Sequence, residues 1–328
     1  MRMSITSGSA TVENAWNLVG NVVWSGDKQR AARTLTFDLA ASQNDPNLPA
    51  VECPVGAVVS LWGDDGSPLF QGMVVTRELA DTDAMMPVTA HDNGRLLANN
   101  DGTEKIRDET AEGAVSRICR AYGIPVGALA ATGVPLRRKF TATPLWNIVV
   151  TLYTLAAQRT GKQYMARFSW DKLEVTERSE SAQNLVIRPR SNLLTSSTTE
   201  SIEDMRNSVG IYDKDGNRLT TVQDSQARDL YGLMESHITV QEGADAQAEA
   251  RQLLEERGLS RKISVTCLGD PRLTTGKTVV VRQPVTGLSG VFWIESDRHS
   301  WSGGDYTTRL SLELRNLMYQ TESGSELT

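Results

Sequence analysis

Three histidines and three cysteines are all that 328 residues offer of the commonest metal-ligating side chains. The cysteines (Cys53, Cys119 and Cys267) are far apart and odd in number. They read as buried, reduced thiols of a protein made in a cytoplasm rather than as a disulfide framework. No metal-ligand spacing joins them to the histidines, so no metal or cofactor site is expected. No apolar run approaches the roughly 18 residues a membrane span needs. The opening MRMSITSGSATVENAW lacks a continuous hydrophobic segment, so neither membrane insertion nor a secretory signal is expected. Positive charge is not in excess: the net charge of -6 argues against sequence-specific nucleic-acid binding through phosphate contacts. An acidic surface could still line a passage along which DNA slides.

What remains is an ordinary globular composition, 39% hydrophobic and 23% charged, long enough for two or three domains. The first hundred residues read as β. In RTLTFDLA, Leu35, Phe37 and Leu39 alternate with polar residues, which marks a strand with one buried face. After the polar loop SQNDPNLPA come VGAVVSLW and LFQGMVVTREL, joined across Asp65–Gly66 as a hairpin, and then PVTAHD. The period then changes. Ala111, Ala114, Val115, Ile118 and Tyr122 predict a helix capped by Thr110 and stopped at Gly123. Leu145, Ile148, Val149, Leu152 and Ala156 predict a second, with Thr143 as cap, Pro144 at the first helical position and Gly161 as stop. QYMARFSWDKLEVTER predicts a hairpin. Beyond residue 185 the β character returns: a hairpin turns at Asp215–Gly216, a helix spans about 244–257, and four strand-like segments follow. TESGSELT reads as a flexible tail.

The two β regions resemble each other. Gly276 opens KTVVVR 220 positions after Gly56 opens AVVSLW, and Gly72 and Gly290 follow at sixteen and fourteen residues. A duplicated domain is the expectation.

Several residues invite a catalytic reading and are better explained otherwise. In RLTTGKTVVVR, Gly276–Lys277–Thr278 resembles the end of a P-loop, but Pro271 stands where the first glycine is required and a β-branched run follows where a helix must. Asp297 and His299, with Ser296 and Ser300, suggest a hydrolytic triad, yet on a strand the serines face the other way and no nucleophile elbow is present. An exposed polar edge is expected there. His91–Asp92 is a pair at a strand end. Asp64–Asp65, Glu203–Asp204 and Glu255–Glu256 read as solvated charge. Trp24, Trp62 and Trp170 could contact a glycan but read as strand packing or turn aromatics. No catalytic residue is assigned, and the chain is expected not to be an enzyme.

The segments VVWSGDKQRAARTLTFDLA (Val22–Ala40), VTAHDNGRLLANN (Val88–Asn100), TAEGAVSRICRAYGIPVG, LYTLAAQRTGKQYMARF and GVFWIESDRHSW…YTTRLSLEL resemble the baseplate hub family of contractile phage tails, including the XkdQ/YqbQ-like hubs of defective prophages and tail-like bacteriocins. The resemblance runs from about residue 15 to 318. It implies a mainly β fold in which two tail-tube-like β-barrels, 1–100 and 183–320, flank a small α/β module at 101–182, with 321–328 as a tail. It further implies a homotrimeric ring of six barrels that adapts a sixfold tail tube to a threefold central spike in a virion or tail-like particle. The partners would be the tube protein, the spike, the tape-measure protein and other baseplate proteins, wedge or LysM-containing. A tail-associated cell-wall hydrolase or a glycan-binding module is the alternative.

Overall fold

The computed structural model describes residues 1–40, 51–80, 84–178, 185–240 and 246–327. The polar segment 42–50, read as a loop, lies outside them. The N-terminal β region contains β1 (Arg2–Ser7), β2 (Ala10–Val12), β3 (Val19–Asp27), β4 (Thr34–Ala40), β5 (Val58–Trp62), β6 (Pro68–Arg77) and β7 (Met85–His91). Alternation does in β4 what it predicts: Leu35, Phe37 and Leu39 are buried against Met3, Ile5, Val59, Leu61 and Val88. Each such side chain stabilises the fold by roughly 1.5–3 kcal/mol through removal from water.

The module follows as α1 (Gly94–Ala98), β8 (Asp101–Thr110), α2 (Ala111–Ala121), β9 (Val126–Leu129), β10 (Pro135–Pro144), α3 (Leu145–Thr160), β11 (Tyr164–Ser169) and β12 (Lys172–Glu177). Its core packs Val115 and Ile118 of α2 and Ile148, Leu152 and Tyr153 of α3 with Ile106, Phe140, Phe168 and Val175 of the strands. Thr110 caps α2 as the sequence predicts, its hydroxyl accepting from the Gly113 amide at 3.3 Å. The cap of α3 falls one residue later than predicted. Pro144 is the cap, and Thr143 remains in β10 with its hydroxyl donating to the Thr141 carbonyl. The Leu145 amide donates to Asn100 O at 2.9 Å and β10 pairs with β8 as far as Pro144–Asp101, so sheet pairing holds Thr143 extended. Gly161, at φ +72°, ends the helix as predicted.

After β13 (Val186–Ile187) and β14 (Leu193–Ser201), the chain forms a separate compact unit, Ser197–Ile263. It holds β15 (Ser208–Tyr212), β16 (Arg218–Gln223), α4 (Ser225–Tyr231), β17 (Glu235–Thr239) and α5 (Ala246–Glu256), with Val209, Ile211 and Ala250 as its small core. β15 and β16 form the predicted hairpin, and β17 joins β15 in parallel. Helix α4 was not legible: it buries no residue and so carries no apolar periodicity, although Asp224 caps it by accepting from the Ala227 amide. The chain then completes the larger unit with β18 (Ser260–Leu268), β19 (Thr278–Gln283), β20 (Leu288–Ser302), β21 (Asp305–Glu313) and β22 (Ser325–Glu326). The last of these corrects the flexible tail: Ser325 and Glu326 pair with Lys139 and Arg138 of β10, and Ser323 N–H donates to Thr151.

The duplication is written in the strand registers. In the first copy Val58, Val59, Ser60 and Leu61 oppose Met73, Gly72, Gln71 and Phe70. In the second Thr278, Val279, Val280 and Val281 oppose Trp293, Phe292, Val291 and Gly290, each residue 220 positions later. Both copies then skip one residue at the same place, Val75 between β6 and β7 and Glu295 between β20 and β21. Gly56 N–H donates to Val74 O and Val74 N–H to Ala57 O; Gly276 N–H donates to Ile294 O and Ile294 N–H to Lys277 O. The second glycines of the two regions are not a pair. Gly72 is matched by Phe292 and Gly290 by Phe70, so only the Gly56–Gly276 pair is equivalent.

The two copies share one sheet. β20 runs on past its pairing with β19, and Ser296–Trp301 pair with β3 of the first copy, giving a thirteen-stranded sheet ordered β14-β18-β21-β20-β3-β4-β7-β6-β5-β1-β2, with β19 and β13 branching from β20.

Candidate functional site

Pairing β20 with β3 decides the fate of the Asp297–His299 pair. With β21 on one side and β3 on the other, these residues are not an exposed polar edge: Asp297 is 3% and His299 0% exposed. The sequence could not show this, because β3 lies more than 260 positions upstream of them.

The Asp297 carboxylate is fully engaged. Arg33 Nη1 and Nη2 donate to it at 3.0 and 2.5 Å, and the Thr275 amide and hydroxyl both donate to Oδ1 at 2.6 Å. Burial alone would raise its pKa, but the Arg33 charge and the hydrogen bonds from His299 and Arg33 outweigh it and hold the carboxyl well below the usual range. Thr275 belongs to the stretch that resembled a phosphate cradle. That loop does cradle an oxyanion, and the oxyanion is the chain's own aspartate.

His299 Nε2 faces two acceptors, Leu273 O at 3.1 Å and Asp297 Oδ2 at 3.3 Å, so Nε2 carries hydrogen. Nδ1 lies 2.9 Å from the Tyr306 hydroxyl and 3.1 Å from Thr308 Oγ1. The imidazole lies 4.9 Å from the Trp24 ring, and the Arg33 guanidinium covers that ring at 4.1 Å. A carboxylate, an imidazole and hydroxyls thus meet in the order of a hydrolytic relay, but Asp297, His299 and Thr308 are sealed from solvent. Ser296 and Ser300 take no part in this network. The constellation ties Trp24 and Arg33 of the first copy to the loop and strands of the second.

The shared bulge makes a second tie. The Glu295 carboxylate pairs with Lys28 from the β3–β4 loop and with Arg178 at the end of β12, the latter at 3.3 Å. Arg178 also donates to Leu317 O at 2.7 Å and lies over the Trp293 ring at 4.6 Å. Burial and the nearby Arg178 charge lower the Lys28 pKa to about 8.

His91 is half-buried, whereas Asp92 is 2% exposed and accepts from the Gly94 and Arg33 amides at 2.8 and 3.1 Å. Burial pushes its pKa up to about 7. Asp65 accepts from the Ser67 amide and hydroxyl within a turn, and Asp64 pairs with the N-terminal amine. Glu203, Asp204, Glu255 and Glu256 are exposed, as expected of solvated charge. Trp62 packs on Trp170 at 5.3 Å under Arg2, and Trp24 is buried, so the tryptophans do pack strands and turns. Cys53, Cys119 and Cys267 are free and buried, their thiols pushed up to about 11, 11 and 12 chiefly by burial. Among the described residues no group of three or more His, Cys, Asp or Glu is placed to hold a metal ion, and no helix is long and apolar enough to cross a membrane.

The model of the YqbQ-like family matches residues 22–313, from β3 through β21. The chain belongs to this family. It is 22% identical to protein YqbQ of Bacillus subtilis (strain 168) over 305 residues, 90% of this chain and 92% of that protein. It is equally similar to the phage-like element PBSX protein XkdQ of the same organism, 22% identical over 91% of this chain and 93% of that one. Its fold is that of the 43 kDa tail protein of prophage MuSo2 from Shewanella oneidensis, with a TM-score of 0.75 at 13% identity over 97% of this chain and 99% of that one. The E. coli c3393 protein, a component of the type VI secretion system with structural similarity to the T4 bacteriophage tail proteins gp27 and gp5, aligns with a TM-score of 0.56 at 13% identity, covering 100% of this chain and 80% of that one. This YqbQ-like chain thus has the mainly β fold of phage-tail proteins, with two related β regions flanking a small α/β module.

Proposed function

We propose that the chain is a structural hub of a contractile-tail baseplate, in an infectious phage, a defective prophage or a tail-like bacteriocin. The observation that carries this reading is the register match at 220 residues, which puts two copies of one β unit in each chain. Three chains then present six such units, so a trimeric ring can meet a sixfold tube on one side and a threefold spike on the other. In this reading 1–100 and 183–320 act as tube-type barrels and 101–182 as the module between them. The partners are the tube, the spike, the tape-measure protein and neighbouring wedge or LysM-containing baseplate proteins. The work is geometric rather than catalytic, which agrees with the sealed Asp297–His299 network.

Mass measurement of the purified chain, alone and mixed with its tube and spike proteins, tests the proposal. A trimer, formed alone or only with those neighbours, is the expected result. A chain that stays monomeric with both partners present and clears peptidoglycan would overturn it in favour of a cell-wall hydrolase.

A further inference from the structure

A cavity of about 280 Å³ lies beside the Asp297 network, lined by both β copies and by the β11–β12 hairpin. Its lining carries five cations, Arg30, Arg33, Arg167, Arg272 and Lys277, against two carboxylates, Asp27 and Asp65. Arg33, Arg167 and Lys277 are partly buried, and Arg30 and Arg272 are exposed. Arg33 has Asp297 as its counter-ion and Arg272 has Asp270. Among the described residues Arg167 has one ion-pair partner, Glu174 at 3.9 Å, and Lys277 donates to the Arg272 carbonyl at 3.2 Å. Arg167 and Lys277 sit close to Arg33, with Glu174 offsetting part of the charge at Arg167 and Asp270 and Asp297 part of that at Lys277. Burial first, and then mutual repulsion with the neighbouring arginines, lowers the Lys277 pKa.

The lining thus sets five cationic side chains against two carboxylates, and the group it would take is an anionic acceptor. We propose that the cavity is a binding site for a small oxyanion, either free inorganic phosphate or the carboxylate of an acidic side chain from a neighbouring protein. The Thr275 and Arg33 donors are already engaged by Asp297, so the incoming anion is held by the Arg167 and Lys277 side of the cavity. The proposal goes beyond the hub reading and stands whether or not the chain forms a ring.

Thermal unfolding of the full chain is followed against inorganic phosphate, and separately against acetate as the carboxylate probe, with chloride at matched ionic strength as reference. A saturable rise in Tm is expected, on the order of 2 °C at ten times the dissociation constant. Lys277→Gln should weaken the dissociation constant at least about fivefold. Arg30→Gln, at an exposed position, should weaken it about twofold. A response to phosphate alone identifies a free anion, and a response to acetate as well identifies an acidic side chain; either supports the site. No saturable rise with either probe, or a rise that both variants retain in full, would overturn it.

Discussion

At the scale of single residues, buried charge is what the protein uses to fix its interior, and Asp92 gives the sharpest test of it. Its folded pKa of about 7 lies above the ordinary aspartate value of about 4, so the folded state holds the proton more tightly than the unfolded chain. Its contribution is fully present below about pH 4 and is lost as pH rises toward 7. The Gly94 and Arg33 amides bond to different oxygens of Asp92, so Asp92→Asn keeps an acceptor for one of them and removes the titration. The cost of this substitution should be smaller at pH 8 than at pH 5, by about 2 kcal/mol or more, in denaturant unfolding at the two pH values. A difference independent of pH would show that Asp92 titrates normally. Neither Asp92 nor Asp297 could be recognised as buried from the sequence. Both are short polar residues in segments whose neighbours alternate, and their burial depends on Arg33, which is remote from Asp297 by 264 positions.

At the scale of elements, the twin glycines show how local chemistry and packing divide the work. Gly56 and Gly276 adopt φ +93° and +87°, a region an L side chain enters only under strain. A Cβ on Gly56 would meet nothing within 4 Å, whereas one on Gly276 would lie 2.9 Å from Met165 Cγ. Gly56→Ala should cost about 1 kcal/mol and Gly276→Ala more, about 2 kcal/mol, the difference being the displacement of Met165. Chemical denaturation of both variants measures it. Equal costs would mean that Met165 yields freely. Elements like these were legible wherever periodicity and a stop residue agreed, as in α2 with Thr110 or β4 with its buried Leu–Phe–Leu face. They were missed where apolar residues follow no period, as in β14 and α4, or where pairing overrode a cap, as at Thr143.

At the scale of the whole molecule, the unit Ser197–Ile263 interrupts a hairpin that the first copy closes briefly. β3 and β4 are joined by the short segment Lys28–Arg33, while β14 and β18, neighbours in the same sheet, are joined by this unit. Replacing residues 202–258 with a short turn should leave the rest of the chain folded with one cooperative transition, its Tm lowered by no more than a few degrees. Loss of that transition would show that the inserted unit is needed for the sheet. The repeat was visible from sequence because one turn glycine survived in both copies. The fusion of the copies through β20 was not, since it joins the start of the chain to its end. Fusion also breaks an equivalence. Six identical subunits must carry the same residue at every corresponding position, but here one bulge holds Val75 and its twin holds Glu295. One copy can thus leave the position neutral while the other uses it to anchor Lys28 and Arg178. Alternate positions around any ring of such chains can be given different chemistry by a single gene.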